Sequence, residues 1–252
     1  CYVSPKISDI ILMGSERIHL FDTPLLVSRN MGLAVDQRAA KRVMDILISG
    51  IGIIITSPIM LIIAIAVKAY DRGPVFYFQD RLTLGGKPFK ICKFRSMCVD
   101  SEKNGARLAS KHDSRITPVG HVLRNLHLDE LPQLFNVFKG DMSLVGPRPE
   151  RESIMLEYEK ELPEFYYRLK VKAGLTGYAQ VYGKYNTTPY DKLKLDLFYI
   201  ENYSFLLDIK LIFMTVKIFF QKEVSEGVDD RQVNALKDSG KNVGVSENKT
   251  EE

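Results

Sequence analysis

Residues 126–150 decide the fold and read Leu-His-Leu-Asp-Glu-Leu-Pro-Gln-Leu-Phe-Asn-Val-Phe-Lys-Gly-Asp-Met-Ser-Leu-Val-Gly-Pro-Arg-Pro-Glu. Four apolar residues in this stretch have the i, i+3, i+4, i+7 spacing of one helix face: Leu131, Leu134, Phe135 and Phe138. The spacing predicts a helix over residues 130–138 with a buried apolar stripe, capped by Asp129. The positive end of the helix dipole favours the ionised form of a carboxylate and also favours a phosphate bound beside it. Asp129 could therefore be a nucleophile. From Asp129 and Glu130 alone, however, a plain cap and a solvated acid explain the pattern better.

The composition indicates a folded, basic protein. The chain has 252 residues, 45% of them apolar, and a net charge of +4. The segment after residue 221 carries 5 basic and 8 acidic residues, so the part before it has a charge of about +7. Such a charge suits anionic partners, namely phosphates, nucleotides, a membrane surface or nucleic acid. The three cysteines lack zinc-type spacing, so neither a metal site nor a disulfide is indicated.

The chain divides into four predicted parts. Residues 1–37 have too few apolar positions for a core and are interpreted as the end of an upstream domain with a linker. The chain begins with Cys1 rather than Met and looks like a piece of a longer protein. Residues 38–70 are predicted to form a membrane segment, residues 71–221 a folded domain, and residues 222–252 a disordered polar tail.

The membrane segment contains 22 consecutive uncharged residues, 46–67, which would extend roughly 33 Å as a helix, enough to cross a bilayer. Ser57 and Pro58 stand at its middle, where proline removes a backbone donor and kinks a helix. Basic residues flank both ends, and Lys41 and Arg42 form a predicted collar at the lipid interface. A re-entrant hairpin that breaks at Ser57-Pro58 fits both observations. An ordinary transmembrane helix stays open, and a buried core helix is the least favoured.

Two strands, residues 74–79 and 88–97, are predicted around a turn at Gly85-Gly86. Basic residues of the second strand, among them Lys93 and Arg95, form either a phosphate-binding face or a solvated one.

Further along, Thr117-Pro118 predicts the start of a short helix that leads to Asp129, with Arg115 just before it. Arg148 lies between two prolines, and a guanidinium on so rigid a loop suits phosphate binding, although a surface turn would look the same.

Residues 196–220 are apolar and aromatic, with Lys210 and Lys217 on one face. They predict either an amphipathic helix in the membrane interface or a core helix. The expected fold is α/β-like and helix-rich, with a small irregular sheet, a membrane-embedded re-entrant helix hairpin and amphipathic interfacial helices.

Several ordered motifs together resemble the bacterial sugar transferase family, the monotopic phosphoglycosyl transferases or polyprenyl-phosphate hexose-1-phosphate transferases. They are Lys41-Arg42, the uncharged segment with Ser57-Pro58, Lys-Phe-Arg-Ser-Met at 93–97, Leu-Asp-Glu-Leu-Pro-Gln at 128–133, Ser-Leu-Val-Gly-Pro-Arg-Pro at 143–149 and Lys-Ala-Gly-Leu-Thr-Gly at 172–177. The resemblance covers about residues 38–221. It reverses the interpretation of Asp129 as a plain cap. The residues before position 38 resemble the end of the extra N-terminal region that larger members of the family carry.

The resemblance implies transfer of a sugar 1-phosphate from a UDP-sugar to polyprenyl (undecaprenyl) phosphate, with release of UMP. This would be the first membrane step of exopolysaccharide, capsule or O-antigen synthesis. Residues 71–221 would be the catalytic domain, on the cytoplasmic face of the bacterial inner membrane. Asp129 would be the nucleophile that forms a covalent phosphosugar intermediate, and Glu130 would help hold Mg²⁺ or manage a proton. Mg²⁺ would be bound by Asp129 and Glu130. The residues expected to bind phosphate are Arg148, Arg115, Lys93 and Arg95.

Two other function classes remain as alternatives. A metal-dependent nucleotide-sugar glycosyltransferase commonly carries Asp-x-Asp, and no two aspartates in this sequence are two apart. A non-catalytic membrane scaffold would use the same motifs only as structure. Nucleic-acid binding fits the charge but lacks a recognisable module, so no nucleic-acid partner is expected. Which sugar is transferred, the polyprenol length and whether the protein forms a homo-oligomer are left open by the sequence.

Overall fold

The computed structural model describes residues 5–13, 15–20, 23–28, 33–99, 113, 115–183 and 187–219. The helices are α1 (Ile7–Met13), α2 (Val35–Asp71), α3 (Pro118–Asn125), α4 (Gln133–Lys139), α5 (Glu152–Glu161), α6 (Tyr178–Tyr182), α7 (Pro189–Glu201) and α8 (Phe205–Phe219). The strands are β1 (Ser15–Leu20), β2 (Thr23–Ser28), β3 (Phe76–Leu82), β4 (Pro88–Phe94), β5 (Ser143–Val145) and β6 (Gly174–Thr176). Short 3-10 helices cover Leu84–Gly86, Leu128–Glu130 and Pro163–Lys170.

The predicted helix-rich chain with little sheet is confirmed. In the described residues the strands form three separate pairs: β1 with β2 and β3 with β4, both antiparallel, and β5 with β6, parallel. The predicted hairpin is β3–β4, in which Phe76 faces Phe94 and Leu82 faces Pro88. Its connection needs left-handed backbone at Gly85 (φ 68°), which glycine adopts without a Cβ clash.

The main core lies where α4, β5, α7 and α8 meet. Its fully buried side chains include Val137, Val145, Leu193, Leu197 and Leu211. The first helix belongs to it as well, because α1 packs on α7. Part of the segment that was interpreted as an upstream domain is therefore packed on the main core. The predicted tail at residues 222–252 lies outside the described residues.

α2 is long and apolar enough to cross a membrane, and most of its apolar segment is exposed. Its helix assignment runs from Val35 to Asp71 through Ser57 and Pro58 without a break, so the expected two-helix hairpin is not shown. Both halves of α2 nevertheless contact the same domain: the first half meets β5 and α8, and the second half packs Ile63 and Val67 against α3 and β4.

Polar side chains anchor the start of α2 inside the domain. Lys41, only 6% exposed, forms an ion pair with Asp208 of α8. One turn later, Asp45 accepts hydrogen bonds from the backbone N–H of Leu144 at 2.9 Å and from the Ser143 hydroxyl at 3.1 Å. These contacts fasten α2 to β5 and α8.

Lys41 and Arg42 were predicted to form a collar at the lipid interface. For Lys41 this prediction is wrong, because its side chain is buried in the ion pair with Asp208. Arg42 donates to the carbonyls of Val137 at 2.8 Å and Phe138 at 2.7 Å, near the C-terminus of α4. Carbonyls at a helix end lack partners within the helix, so a guanidinium satisfies them well. The sequence could not separate this role from a membrane collar because the partners are distant in the chain.

α8 has features of both structures that its sequence left open, a core helix and an amphipathic interfacial helix. Asp208 and Leu211 are fully buried against the domain. On other faces, Leu206, Phe213 and Val216 are exposed, which suits contact with an apolar phase.

Candidate active site

Asp129 and Glu130 lie in the 3-10 helix Leu128–Glu130, after His127, whose backbone is left-handed with φ 51°. The predicted helix begins at Gln133 rather than at residue 130, and no side chain caps it. Asp129 is thus not a helix cap. The 3-10 helix ends before Pro132, so the two carboxylates stand on a separate turn between α3 and α4.

The expected buried stripe of α4 is also corrected. Phe135 and Phe138 are exposed, whereas Gln133, Asn136 and Val137 are buried. Part of the apolar stripe packs on α2 instead, since a Cβ added at Gly50 or Gly52 would meet the side chains of Phe138 and Leu134, respectively. A helix face that packs on another apolar helix has the same spacing of apolar residues as a face that packs on the core. The sequence therefore predicted the wrong environment for Phe135 and Phe138.

Glu130 is the centre of a cationic cluster. Its Oε1 atom lies 2.7 Å from Lys93 Nζ and 2.7 Å from Arg148 Nη2. Lys93 comes from β4 and Arg148 from the loop after β5, so the structure joins two predicted phosphate-binding residues at one predicted catalytic residue. Arg148 remains 45% exposed, and a guanidinium has donors beyond the one used by Glu130, so it can also contact an anionic ligand.

The two carboxylates differ in their acidity. Burial alone would raise the pKa of Glu130, but the charges of Arg148 and Lys93 and their hydrogen bonds lower it well below its usual range. Burial, together with the neighbouring charge of Glu130, raises the pKa of Asp129 above its ordinary value. Glu130 is therefore ionised at neutral pH and poorly suited to manage a proton, whereas Asp129 keeps a more basic carboxylate, as suits a nucleophile.

The other two predicted phosphate ligands form ion pairs elsewhere. Arg95 is buried and pairs with Asp71 at the end of α2, and Arg115 pairs with Asp113. The charge of Arg124, which was not selected from the sequence, is among those that lower the pKa of Asp129.

The loop that carries Arg148 is held by the parallel strands β5 and β6. Gly146 donates to the carbonyl of Thr176 at 2.8 Å, and Gly174 donates to the carbonyl of Pro147 at 2.9 Å. A Cβ at Gly174 would lie 2.1 Å from the nitrogen of Gly146, so no side chain fits between the two segments. This close approach explains the glycines of both motifs.

Arg168, which is 2% exposed, holds the same loop from the protein interior. Its Nη2 donates to the carbonyl of Arg148 at 3.0 Å and lies 2.8 Å from Asp196 Oδ2. Arg81 donates from Nη1 to the carbonyl of Pro149 at 3.0 Å. The buried Arg168 and the half-buried Arg81 therefore hold consecutive carbonyls of the loop.

Glu150 balances these charges. It pairs with Lys192 and lies 3.4 Å from Arg168 Nη1 and 3.8 Å from Arg81 Nη1. Burial opposes its ionisation, but Lys192, Arg168 and Arg81 lower its pKa. Sequence reasoning missed this network. Its only local signal was Lys192 and Asp196, which are four residues apart and so share a face of α7.

The donor set suits the Mg²⁺ ion that the sequence predicted. Asp129 and Glu130 offer oxygen ligands, which Mg²⁺ prefers, and Mg²⁺ usually takes one or two carboxylates together with substrate phosphates. In the described part of the chain, no group of three or more metal-binding side chains is found. Because Glu130 Oε1 already accepts from two cations, Asp129 is the better candidate ligand.

A cavity of about 330 Å³ opens beside this cluster. Glu130, Arg148 and His127 line it at one part, and apolar side chains of α4, α6 and α8 line the remainder.

Comparison of the sequence with known proteins identifies the family of this chain. Residues 36–222 match the bacterial sugar transferase family. The chain is 46% identical over 180 residues to the UDP-N-acetylgalactosamine-undecaprenyl-phosphate N-acetylgalactosaminephosphotransferase of Aeromonas hydrophila, covering 70% of this chain and 43% of the relative. It is 43% identical over 208 residues to the UDP-glucose:undecaprenyl-phosphate glucose-1-phosphate transferase of Klebsiella pneumoniae, covering 81% of this chain and 43% of the relative.

The chain thus spans less than half the length of these two relatives. A shorter relative is covered more fully: the UDP-glucose:undecaprenyl-phosphate glucose-1-phosphate transferase of Caulobacter vibrioides is 37% identical over 229 residues, which are 86% of this chain and 84% of the relative. The matched residues 36–222 include Asp129, Glu130 and the Arg148 loop. The chain belongs to the bacterial sugar transferase family.

Proposed function

We propose that this chain is the catalytic part of a membrane enzyme that transfers a sugar 1-phosphate from a UDP-sugar to polyprenyl phosphate and releases UMP. The observation that carries the proposal is the cluster in which Glu130 pairs with Lys93 and Arg148, next to the half-buried carboxylate of Asp129. The named activities of the relatives support the same reaction. Its place would be the first membrane step of a cell-surface polysaccharide.

In the proposed chemistry, a carboxylate oxygen of Asp129 attacks the phosphorus that bears the sugar. The bond from that phosphorus to the bridging oxygen breaks, its electron pair stays on the bridging oxygen, and UMP leaves. A phosphate oxygen of the lipid then attacks the same phosphorus, which frees the carboxylate and forms a polyprenyl diphosphate sugar. Arg148 orients the diphosphate and offsets its negative charge, while Glu130 holds Arg148 and Lys93 in place.

Bound Mg²⁺ would neutralise diphosphate charge near Asp129. Ionisation of Asp129 is needed for attack, and the neighbouring cations, Lys93 and Arg124, favour it. The buried pairs beneath the Arg148 loop fix the position of its guanidinium before substrate arrives, so little reorganisation is needed.

We also propose that α2 enters and leaves the membrane by the cytoplasmic face. A straight helix of this length would extend roughly 55 Å. Asp45 near one end bonds to β5 and Asp71 at the other end pairs with Arg95, and both partners belong to one domain. A helix that crossed the bilayer would separate its ends by the membrane thickness, so contacts at both ends favour re-entry through a bend at Ser57-Pro58.

Product analysis tests the reaction class. Purified protein in nanodiscs should release UMP from one or more members of a UDP-sugar panel when polyprenyl phosphate is added. Release of UDP instead would indicate a glycosyltransferase, and release of neither nucleotide from any member would favour a scaffold.

Mass spectrometry tests the covalent step. Without lipid acceptor, the wild-type protein should gain a hexose phosphate on the peptide that contains Asp129. Asp129→Asn should fold but stay unmodified, because an amide does not attack phosphorus. An unmodified wild-type peptide, under a quench that preserves acyl phosphates, would contradict the intermediate.

A further inference from the structure

The cavity beside Glu130 differs in character along its length. At one part, Arg148 offers a partly exposed cation. The remaining walls come from α4, β6, α6 and α8 and are mainly apolar: Leu134, Leu175, Val181, Ile212, Val216 and Ile218. The partly exposed guanidinium of Arg148 and these apolar walls suit a ligand that is anionic at one end and largely apolar along the rest. A UDP-sugar is polar throughout and matches only the charged end.

The apolar part is continuous with surfaces that suit a bilayer. Leu134 of its wall also packs on α2, since a Cβ at Gly52 would lie 3.3 Å from Leu134 Cδ1. Val216 lines the cavity and is 50% exposed, and Phe213 on the same helix is exposed beside it. An apolar chain could thus enter from the membrane without crossing water.

We infer that this cavity holds the first isoprenoid units of the lipid phosphate acceptor, with the phosphate at Arg148 and the chain along α8. The inference rests on the proposed function and assigns the acceptor to a specific surface. At about 330 Å³ the cavity is near the lower end of ligand pockets, so it takes only the start of a long chain and leaves the rest in the bilayer.

The acceptor therefore reaches the reacting phosphorus from the side of α8. Glu130 and Arg148 lie at the meeting point of this path and the Asp129 turn, so the lipid phosphate arrives where the phosphosugar would be carried. The polar groups of this wall are Gln180 and the hydroxyls of Thr176 and Thr215, which are 2.6 Å apart.

The kinetic test blocks the cavity with Val216→Trp and uses Leu206→Trp, an exposed site on α8 outside the lining, as its control. In nanodiscs, Val216→Trp should keep the burst of UMP that forms without acceptor and lose at least about tenfold in turnover with polyprenyl phosphate. The control should keep both. Unchanged turnover in Val216→Trp would overturn the inference, and so would a diminished burst with a raised KM for UDP-sugar, which would place the nucleotide in the cavity.

A binding readout separates this inference from the proposed function. A prenyl phosphate with a diazirine on its first isoprenoid unit, irradiated with the wild-type protein in nanodiscs, should label peptides of α6 and α8 around Val181 and Val216. Labelling confined to α2 would overturn the inference even if UMP is released. Labelling at Val216 in a protein that releases no UMP from any UDP-sugar would support the lipid site while removing the proposed reaction.

Discussion

Replacing Glu130 with Gln should destabilise the protein, because Glu130 is the shared acceptor of two cations. Hydrogen bonds to charged groups contribute about 1.5–3 kcal/mol each when buried. The Lys93 pair is largely buried and falls in this range, whereas Arg148 is 45% exposed and is worth under about 1 kcal/mol. The sum is about 2–3 kcal/mol, which for a domain of this size lowers the unfolding midpoint by roughly 5–10 °C.

The loss should depend on pH in a defined direction. Because the folded pKa of Glu130 is lowered, its stabilisation is present above its unfolded pKa of about 4.3 and is lost as the pH falls through its folded pKa. The difference between wild type and Glu130→Gln should be largest near neutral pH and shrink below about pH 4.

Thermal unfolding of the detergent-solubilised chain, followed by circular dichroism, measures this effect. Glu152→Gln is the matched control, since Glu152 is an exposed acid in the first turn of α5 and should change stability by under about 0.5 kcal/mol. Adding Lys93→Met to Glu130→Gln should cost less than the sum of the single changes, with a coupling of about 1–2 kcal/mol. A midpoint shift under about 1 °C, or strict additivity, would refute the shared ion pair.

Three further predictions concern catalysis and topology. The single-turnover rate of UMP release should rise with pH through a pKa above that of an ordinary aspartate, because Asp129 must be ionised to attack and its pKa is raised; a rate that stays flat down to about pH 4 would contradict this. Arg148→Lys should reduce kcat/KM by at least about tenfold, since an ammonium cannot replace the planar fork, and near wild-type kinetics would leave Arg148 a turn residue. Single cysteines at positions 38 and 70, in a cysteine-free background, should both label from the cytoplasm, and Pro58→Leu should move position 38 outside in part of the population. Outside labelling of position 38 in the parent protein would instead indicate an ordinary transmembrane helix.

Local signals predicted the elements whose causes are local. Thr117 accepts a hydrogen bond from the backbone N–H of Gly120 at 2.9 Å and starts α3, as its position before Pro118 indicated. The glycine pair between β3 and β4 likewise marks a real turn. In each case, the residues that determine the geometry are neighbours in the chain, so a single sequence contains the information.

The sequence patterns that predicted the wrong environment concern side chains whose contacts come from distant parts of the chain or from outside the protein. Phe135 and Phe138 look like core residues, yet they face outward or toward α2, because an apolar environment outside the protein selects the same side chains as its interior. Arg168 gave no functional signal, and Lys41 was interpreted as part of a membrane collar, because their partners, Arg148 and Asp208, are distant in the sequence. The candidate site was located from motifs, but the support beneath its loop required the structure.

The anchoring of α2 by Lys41 and Asp45 sets a condition on the biogenesis of the protein. Lys41 and Asp208 are 167 residues apart, and at roughly 5–20 residues per second a ribosome needs about 8–33 s to make that interval. During this time α2 has been synthesised while its final partners do not yet exist. Lys41 and Asp45 are four residues apart on one helix face, so they can neutralise each other until β5 and α8 are synthesised. We expect the nascent chain to form this internal ion pair until β5 and α8 dock and supply the contacts seen in the folded protein.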